Sequence, residues 1–466
     1  MKTMGRTRPV HVIGAGLAGS ECAFQLAARG IPVVLHEMRP ERMTPAHSTG
    51  RFAELVCTNS LRSDDPEHAA GLLKREMESF GSLVIGAARA SAVPGGAALV
   101  VDRDRFSARI TATLERMPTV TIERHEVTEL PDGDVVVATG PLTSPDLTER
   151  IQELLGSRHL YFYDSIAPIV EADSLDTSRM FWASRYGKGE GDDYLNVPLT
   201  RDEYLAFHQQ LVTAEVIELH DFERNLFFEG CLPIEEMARR GVDVLPHGPM
   251  KPAGLTAPDG TQPHAVLQLR QENLSRSQLN MVGFQTRMKW SEQRRVFRTL
   301  PGFADAKFAR FGQVHRNTFI NAPQHLDEFY RLRKEPRIRL AGQITGVEGY
   351  LESAAAGLVV GLYIALERHT ESAFEPLPTT TALGALARHL TQSDPRHFQP
   401  SNIQYGLFSE LNMRLPRRKR RAAYAERARG DLATWRRKFE IPAVVPVFAD
   451  DEARDDSRMD VPPEVA

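Results

Sequence analysis

Alternating runs of apolar and polar positions divide the chain into recognisable elements. The segment "VHVI" at 10–13 predicts a strand, and a glycine-rich turn and a helix reaching about residue 29 follow it. Gly30 breaks that helix, and "PVVLHE" predicts a second strand ending at Glu37. "DVVVATGP" at 134–141 reads as a buried strand entering a turn of small residues. Residues 338–341 repeat that layout, with a glycine-rich turn and a long helix of small residues from about 353. Pieces of one parallel sheet lying some 300 residues apart imply that a second domain interrupts the first. Beyond Arg368 a linker, "TESAFEPLPTTTALG", leads to helical segments with long polar faces, "LGALARHLTQ" and "RRAAYAERARGDLATWRRKF". The expected division is therefore 1–165, an insertion at 166–304, a return at 305–368, a helical basic segment at 369–440 and a flexible tail at 441–466.

Composition narrows the class. At 466 residues, with 42% apolar and 25% charged content, the chain is long enough for two or three globular domains. No uninterrupted apolar run approaches the roughly 20 residues that span a bilayer, and no apolar stretch follows the basic N-terminus as in a signal peptide. Three cysteines cannot build a disulfide framework, and their odd number suits a reducing compartment. A cytoplasmic protein without membrane contact is expected. The formal net charge of -4 hides an asymmetry. Arg414 to Lys438 holds eleven cations against two acids, whereas Asp450 to Ala466 holds seven acids against two arginines. The basic run suits a polyanion, although such runs also occur as plain solvated helix faces.

Candidate chemistry begins at G-x-G-x-x-G. Gly14, Gly16 and Gly19 follow a predicted strand and open a predicted helix, as a dinucleotide fingerprint requires, with Ala15, Leu17 and Ala18 between them. Glu37, at the end of the second strand, stands where a carboxylate would accept hydrogen bonds from a ribose. No second such motif follows a strand, which argues against a separate nicotinamide domain. Neither H-E-x-x-H nor clustered Cys/His spacing is present, so no metal is expected. G-x-S-x-G and C-x-x-C are absent too.

The thiols divide into two kinds. Cys22, inside the first helix, reads as a buried structural residue. Cys57, in "FAELVCTNSLRS", has polar neighbours and a cation, surroundings that favour a thiolate. Cys231, in "FFEGCLPIEEMARRG", stands just ahead of a predicted helix opened by Pro233. There the helix dipole favours an anion, while Glu235 and Glu236 oppose it.

Taken together, "VIGAGLAGSECAFQLA", "HEMRP", "FAELVCTNSLRS", "VVATGPLTSP", "FFEGCLPIEEMARRG", "GPMKPAGL", "HRNTFINAP" and "AGQITGVEGYLESAAAGL" closely resemble the folate- and FAD-dependent tRNA (uracil-5-)-methyltransferases. These are a branch of the GidA-like tRNA-modifying flavoproteins, and the resemblance runs from about residue 9 to 440. It implies an α/β fold: a Rossmann-like, glutathione-reductase-type FAD-binding domain, an inserted α/β domain and a C-terminal helical, basic segment. It implies FAD, 5,10-methylenetetrahydrofolate as one-carbon donor, NADPH or NADH as reductant, and tRNA as substrate, with no obligatory protein partner. The product implied is 5-methyluridine at position 54 of the T-loop. A GidA-type enzyme acting on wobble uridine is the alternative on the same fold.

By the same resemblance Cys231 is the nucleophile at uracil C6 and Cys57 the proton-handling partner, roles that could be exchanged. Gly342, Gln343 and Ile344 should approach the flavin ring. Expected RNA contacts are Arg417, Arg418, Lys419 and Arg420 of the basic run and Tyr405 within 396–408. Lys251 and Arg270 are further candidates for the folate or RNA cleft.

Overall fold

Five parallel strands form the first layer, in the order Ile338–Leu340, Val135–Val137, Val10–Ile13, Val33–His36 and Val120–Glu123. The computed structural model describes residues 8–156, 160–165, 167–187, 189, 191–217, 232–370, 373–412 and 415–448, without the side chains of 160–165, 314–316, 417 and 418. Central parallel strands are covered on both faces and favour unbroken β-branched runs. Val135, Val136 and Val137 satisfy that rule, each at most 1% exposed. The strand from residue 338 enters beside the strand from 135, so a sheet begun at the N-terminus is completed some 300 residues later.

Two helices lock this sheet. The Leu17–Ala27 helix is buried along its whole length and crosses the Tyr350–His369 helix at close range. A Cβ on Gly357 would stand 2.0 Å from the Ala18 carbonyl oxygen, so only glycine permits the approach. By length and composition the Tyr350–His369 helix could cross a membrane, yet 89% of its most apolar window is buried inside the protein. It starts three residues before the position expected from sequence, because the turn ends at Gly349, whose φ is +109°.

Buried carboxylates connect helices that are distant in sequence. Glu21 accepts hydrogen bonds from Ser82 Oγ at 2.7 Å and Val84 N–H at 2.8 Å, at the start of the Leu83–Ala90 helix. Glu76 accepts the Ala382 and Leu383 N–H groups at 2.8 and 2.9 Å, at the start of the Ala382–Gln392 helix. Burial pushes both carboxyls up, Glu76 to about 8.

The second layer is a six-stranded antiparallel sheet, ordered Phe181–Trp182, Tyr194–Leu199, Ala265–Gln271, Gln278–Met281, Ile169–Glu171 and Phe308–Arg310. Its hydrophobic core is separate from the first and includes Val197, Phe207, Leu267, Phe284 and Phe297. The Arg201–Thr213 helix beside it starts with a capping box between Thr200 and Glu203. Leu160–Ser165 and Val314–Phe319 pair antiparallel and carry the chain into and out of this layer. Because Phe308–Arg310 belongs to the second sheet, the chain leaves that layer after Arg310, beyond the residue 304 read from sequence.

The C-terminal helix, Arg417–Lys438, buries Ala425, Ala428, Leu432 and Trp435 and leaves a long polar face. Residues 441–448, expected to begin a flexible tail, instead lie on the first layer. Val444 N–H donates to the Phe80 carbonyl at 3.4 Å, and a Cβ on Gly81 would stand 1.6 Å from the Val444 oxygen. Pro446 and Phe448 flank Gly86 in the same way. The apolar "IPAVVPVF" supplies surface that a polar tail would lack.

Candidate functional site

The glycine turn opens onto a channel with about 1030 Å³ of empty space, its open mouth included. Gly14, Gly16, Leu17, Ala18, Glu37 and Gln343 all line it. Gly14 has φ +96°, and a Cβ on Gly19 would lie 1.8 Å from the Gly14 oxygen, so both glycines are required by the turn itself. Gly16 differs: its missing Cβ would point into space with no atom within 4 Å. That hollow at a helix start suits a pyrophosphate. Ala15 and Ile344 are fully buried behind the wall, and Gly342 presses against Ala18, where a Cβ would come within 2.7 Å of the alanine methyl.

Glu37 is held in place. Its carboxylate accepts Ala15 N–H at 3.0 Å, Arg39 N–H at 3.0 Å and Arg39 Nε at 2.8 Å. Burial alone would raise this carboxyl, but the hydrogen bonds and charge of Arg39, with the Ala15 amide, hold it below the usual carboxylate range. An ionised acceptor therefore faces the channel at the end of the second strand.

Cys57 adjoins the channel through Val56 and Tyr350, which both line it. Its N–H donates to the Tyr350 hydroxyl oxygen at 2.5 Å. Three arginines from both layers hold its loop. Arg103, the first residue of the Arg103–Arg116 helix, donates to the carbonyls of Leu55 and Cys57, the latter at 2.9 Å. Arg310, from the second sheet, donates to Val56 O at 2.8 Å and to Cys57 O at 3.0 Å. Arg270 donates to Asn59 Oδ1 at 3.0 Å and to Thr58 Oγ1 at 2.6 Å. Asn59, fully buried, donates in turn to Val101 O in one layer and Gln271 O in the other, both at 3.0 Å. Glu272 is the carboxylate that pairs with Arg103 here. Three guanidiniums facing one carboxylate leave an excess of positive charge around the loop, and the Cys57 sulfur interacts electrostatically with all three.

The remaining candidates divide. Cys22 is fully buried in the first helix, and burial pushes its thiol far up, so it is an inert core residue. Cys231 lies outside the described residues. The helix after it is Ile234–Arg239, with Pro233 as its cap. Its two glutamates, read from sequence as opposing a thiolate, are both engaged: Glu235 accepts Thr286 Oγ1 at 2.8 Å and Arg287 N–H at 2.9 Å, and Glu236 pairs with Arg239 and Arg287.

Arg417 and Arg418 open the C-terminal helix, and Lys419 and Arg420 are exposed on it. Tyr405 is not free to stack on a base. Its ring lies 4.9 Å from that of Tyr424, and its hydroxyl donates to Glu67 O at 2.7 Å. Within 396–408, Phe398, Ile403 and Phe408 are core residues, leaving Arg396 and His397 outside. Lys251 is exposed, whereas Arg270 belongs to the thiol loop.

Sequence reading missed Arg103, Arg310, Glu272 and Tyr350. Two signals were available: "QLRQEN" places an arginine inside a strand and a glutamate just after it, and "FARFG" places one cation between aromatic residues.

Comparison with known proteins follows the same outline. The family described as "Glucose inhibited division protein A" matches residues 9–372. A "Methylenetetrahydrofolate--tRNA-(uracil-5-)-methyltransferase TrmFO" of Myxococcus xanthus is 54% identical over 440 residues, covering 93% of this chain and 96% of that one. The protein of the same name from Geobacter sulfurreducens is 53% identical over 431 residues, 92% and 99% of the two chains. Among solved structures, GidA of Aquifex aeolicus superposes with a TM-score of 0.67 at 16% identity, over 93% of this chain and 76% of that one, and shares the fold.

Proposed function

The chain belongs to the methylenetetrahydrofolate–tRNA (uracil-5-)-methyltransferases, within the wider GidA family, and on that premise we propose how its own residues carry out the reaction. The substrate is tRNA, and the one-carbon donor is methylenetetrahydrofolate. The observation that carries the assignment of residues is the Cys57 loop, clamped by arginines beside a dinucleotide channel.

The residues of the channel fit FAD. The hollow at Gly16 and the start of the Leu17–Ala27 helix would take the pyrophosphate, and Glu37 the ribose. The turn at Gly342–Ile344 and the start of the Tyr350–His369 helix would flank the isoalloxazine. Bound there, FAD supplies the two electrons that turn a transferred methylene group into a methyl group, and NADPH or NADH restores them.

Everything else falls to the protein. Uracil C5 is a weak nucleophile until a thiolate adds to C6, which forms the S–C6 bond and moves electron density to C5. Cys231, outside the described residues, takes that role. The new C5–carbon bond leaves a proton on C5, which a base must remove before the S–C6 bond can break. Cys57 takes that proton. Its backbone is fixed on both sides by Arg103 and Arg310, and the surplus guanidinium charge favours the thiolate that accepts it.

RNA docking is assigned to the start of the C-terminal helix. Arg417, Arg418, Lys419, Arg420 and Arg421 stand in its first turns with no acid among the first residues. Cations at the positive end of a helix dipole are unfavourable, and a phosphate backbone laid across them relieves that cost. The target base, uridine 54 of the T-loop, leaves its stack to reach the two thiols.

The test uses tRNA carrying 5-fluorouridine. Fluorine cannot leave C5 as a cation, so the S–C6 bond persists and the protein–RNA adduct survives a denaturing gel. The Cys57→Ala protein should still form the adduct, and Cys231→Ala should not. The reverse pattern would exchange the two roles, and no adduct in wild type would reject thiol addition altogether.

A further inference from the structure

Four side chains near one edge of the first sheet, His11, His36, Glu123 and His125, take no part in the reaction above. In the parallel register Ile13 pairs with His36, and His36 pairs with Glu123. Side chains alternate along a strand, so His11, His36 and Glu123 share one face, and His125 follows two residues on. Sequence spacing gave no sign of this cluster, because its members come from three separate strands and a following loop.

The nitrogen and oxygen atoms converge. His36 Nδ1 lies 3.2 Å from Glu123 Oε2, and His125 Nε2 lies 3.7 Å from the same oxygen. All three ligand atoms are within 4.8 Å of one another. His36 is only 5% exposed, and its Nδ1 is buried without a hydrogen-bond partner, since the nearby carboxylate oxygen is out of line for one. Its other nitrogen, Nε2, is 3.0 Å from His11 Nδ1. When His36 Nε2–H donates to His11, the lone pair on Nδ1 is left open beside an anionic oxygen. A cation bound to both atoms would make that juxtaposition attractive.

A metal ion of the zinc class answers the description. Two imidazole nitrogens and a carboxylate oxygen are a familiar donor set for it, with ligands at about 2.0–2.2 Å and hence roughly 3.3 Å from one another. Two of the three separations already approach that value. The third closes by rotation of His125, whose side chain is 51% exposed. Metal-bound imidazoles usually have the second nitrogen fixed by an outer partner, the place His11 occupies. We propose that His36 Nδ1, Glu123 Oε2 and His125 Nε2 bind one divalent transition-metal ion, with solvent completing its coordination. The site borders the channel, since His36 and His125 both line its wall, and it stands independently of the assignment of the thiols.

The test uses the full-length, tag-free, FAD-loaded protein with Zn²⁺ and Co²⁺ as probes. Zn²⁺ affinity is measured by competition with a chromophoric chelator, and metal content by elemental analysis after dialysis. Wild type should retain about one Zn²⁺ per chain. Exposed His125→Ala and Glu123→Gln should each bind at least tenfold more weakly, with the flavin-to-protein ratio and circular dichroism recorded to verify folding. Co²⁺ should give the intense visible bands of a four- or five-coordinate site in wild type, and lose them in both variants. No zinc retained by wild type, or equal affinity in all three folded proteins, would overturn the proposal.

Discussion

Arg310→Met is the sharpest test of the arginine clamp. The side chain is of similar reach but loses two hydrogen bonds, to Val56 O at 2.8 Å and to Cys57 O at 3.0 Å. Cys57 O keeps Arg103 as a donor, whereas Val56 O has no other donor among the described residues. Leaving one carbonyl without its donor costs about 1–3 kcal/mol when it is buried, and Val56, partly exposed beside the channel, falls toward the low end. Relief of repulsion from Arg103 offsets part of this, since that cation acts unfavourably on Arg310. A stability loss of about 1–2 kcal/mol is therefore expected. The effect on the thiol is separate. Arg310 interacts electrostatically with the Cys57 sulfur, and two unit charges about 7 Å apart with an effective dielectric near 20 interact by about 2 kcal/mol. Discounted by about one half for solvent at a partly buried loop, that amounts to roughly one pKa unit. The assay is the pH dependence of iodoacetamide alkylation in a Cys231→Ala background, where Cys22 is too buried to compete. Arg310→Met should move the alkylation midpoint up by about one unit and slow alkylation about tenfold at neutral pH. An unmoved or lowered midpoint in a folded protein would refute the electrostatic part of the argument.

Other consequences are equally direct. Gly16→Val should leave the flavin-free protein within about 0.5–1 kcal/mol of wild type, because its side chain enters open space, yet abolish flavin retention on gel filtration. Gly19→Ala should instead fail to fold or lose several kcal/mol (about 3 or more), its methyl having no room beside the Gly14 oxygen. Glu76→Ala strands the Ala382 and Leu383 amides in the core and should cost about 2–4 kcal/mol in chemical denaturation. Glu37 has a lowered folded-state pKa, so its contribution is complete above the usual value near 4.5 and is lost as pH falls through the lower folded value. Denaturation midpoints of the flavin-free protein should accordingly drop below pH 4.5, and Glu37→Gln should remove that component. Reversing Lys419 and Arg420 to glutamate should weaken tRNA binding and flatten its salt dependence, by about 0.7–0.9 in slope for each phosphate no longer neutralised, without changing NADPH oxidation in the absence of RNA.

Local signals in the sequence were enough for the nucleotide turn. Gly14, Gly16 and Gly19 are dictated within six residues by strand, turn and helix, and the carboxylate of Glu37 ends the next strand. The sheet completed by Ile338–Leu340 was legible for a related reason, since two strands each run into a turn of small residues. The clamp on Cys57 was not legible. Arg103 comes from a helix of one layer and Arg270 and Arg310 from two strands of the other, and no local pattern records which carbonyls a long flexible side chain will reach. Tyr405 shows the opposite failure. An aromatic residue beside a basic run suggested stacking on RNA, but packing against Tyr424 consumes its ring. Likewise "IPAVVPVF" looked like the start of a tail by position, while its Val444, Pro446 and Phe448 settle on the surface around Gly81 and Gly86 and Val445 and Val447 face outward.

The most direct measurement is of the product. Purified protein is incubated with methylenetetrahydrofolate, NADPH and an unmodified tRNA transcript, and the RNA is digested to nucleosides and to mapped fragments for mass spectrometry. The account predicts 5-methyluridine in the T-loop fragment at position 54 with wild type, and none with Cys57→Ala or Cys231→Ala. A flavin-loaded protein that leaves the T-loop unmodified, or that alters the wobble uridine instead, would contradict it.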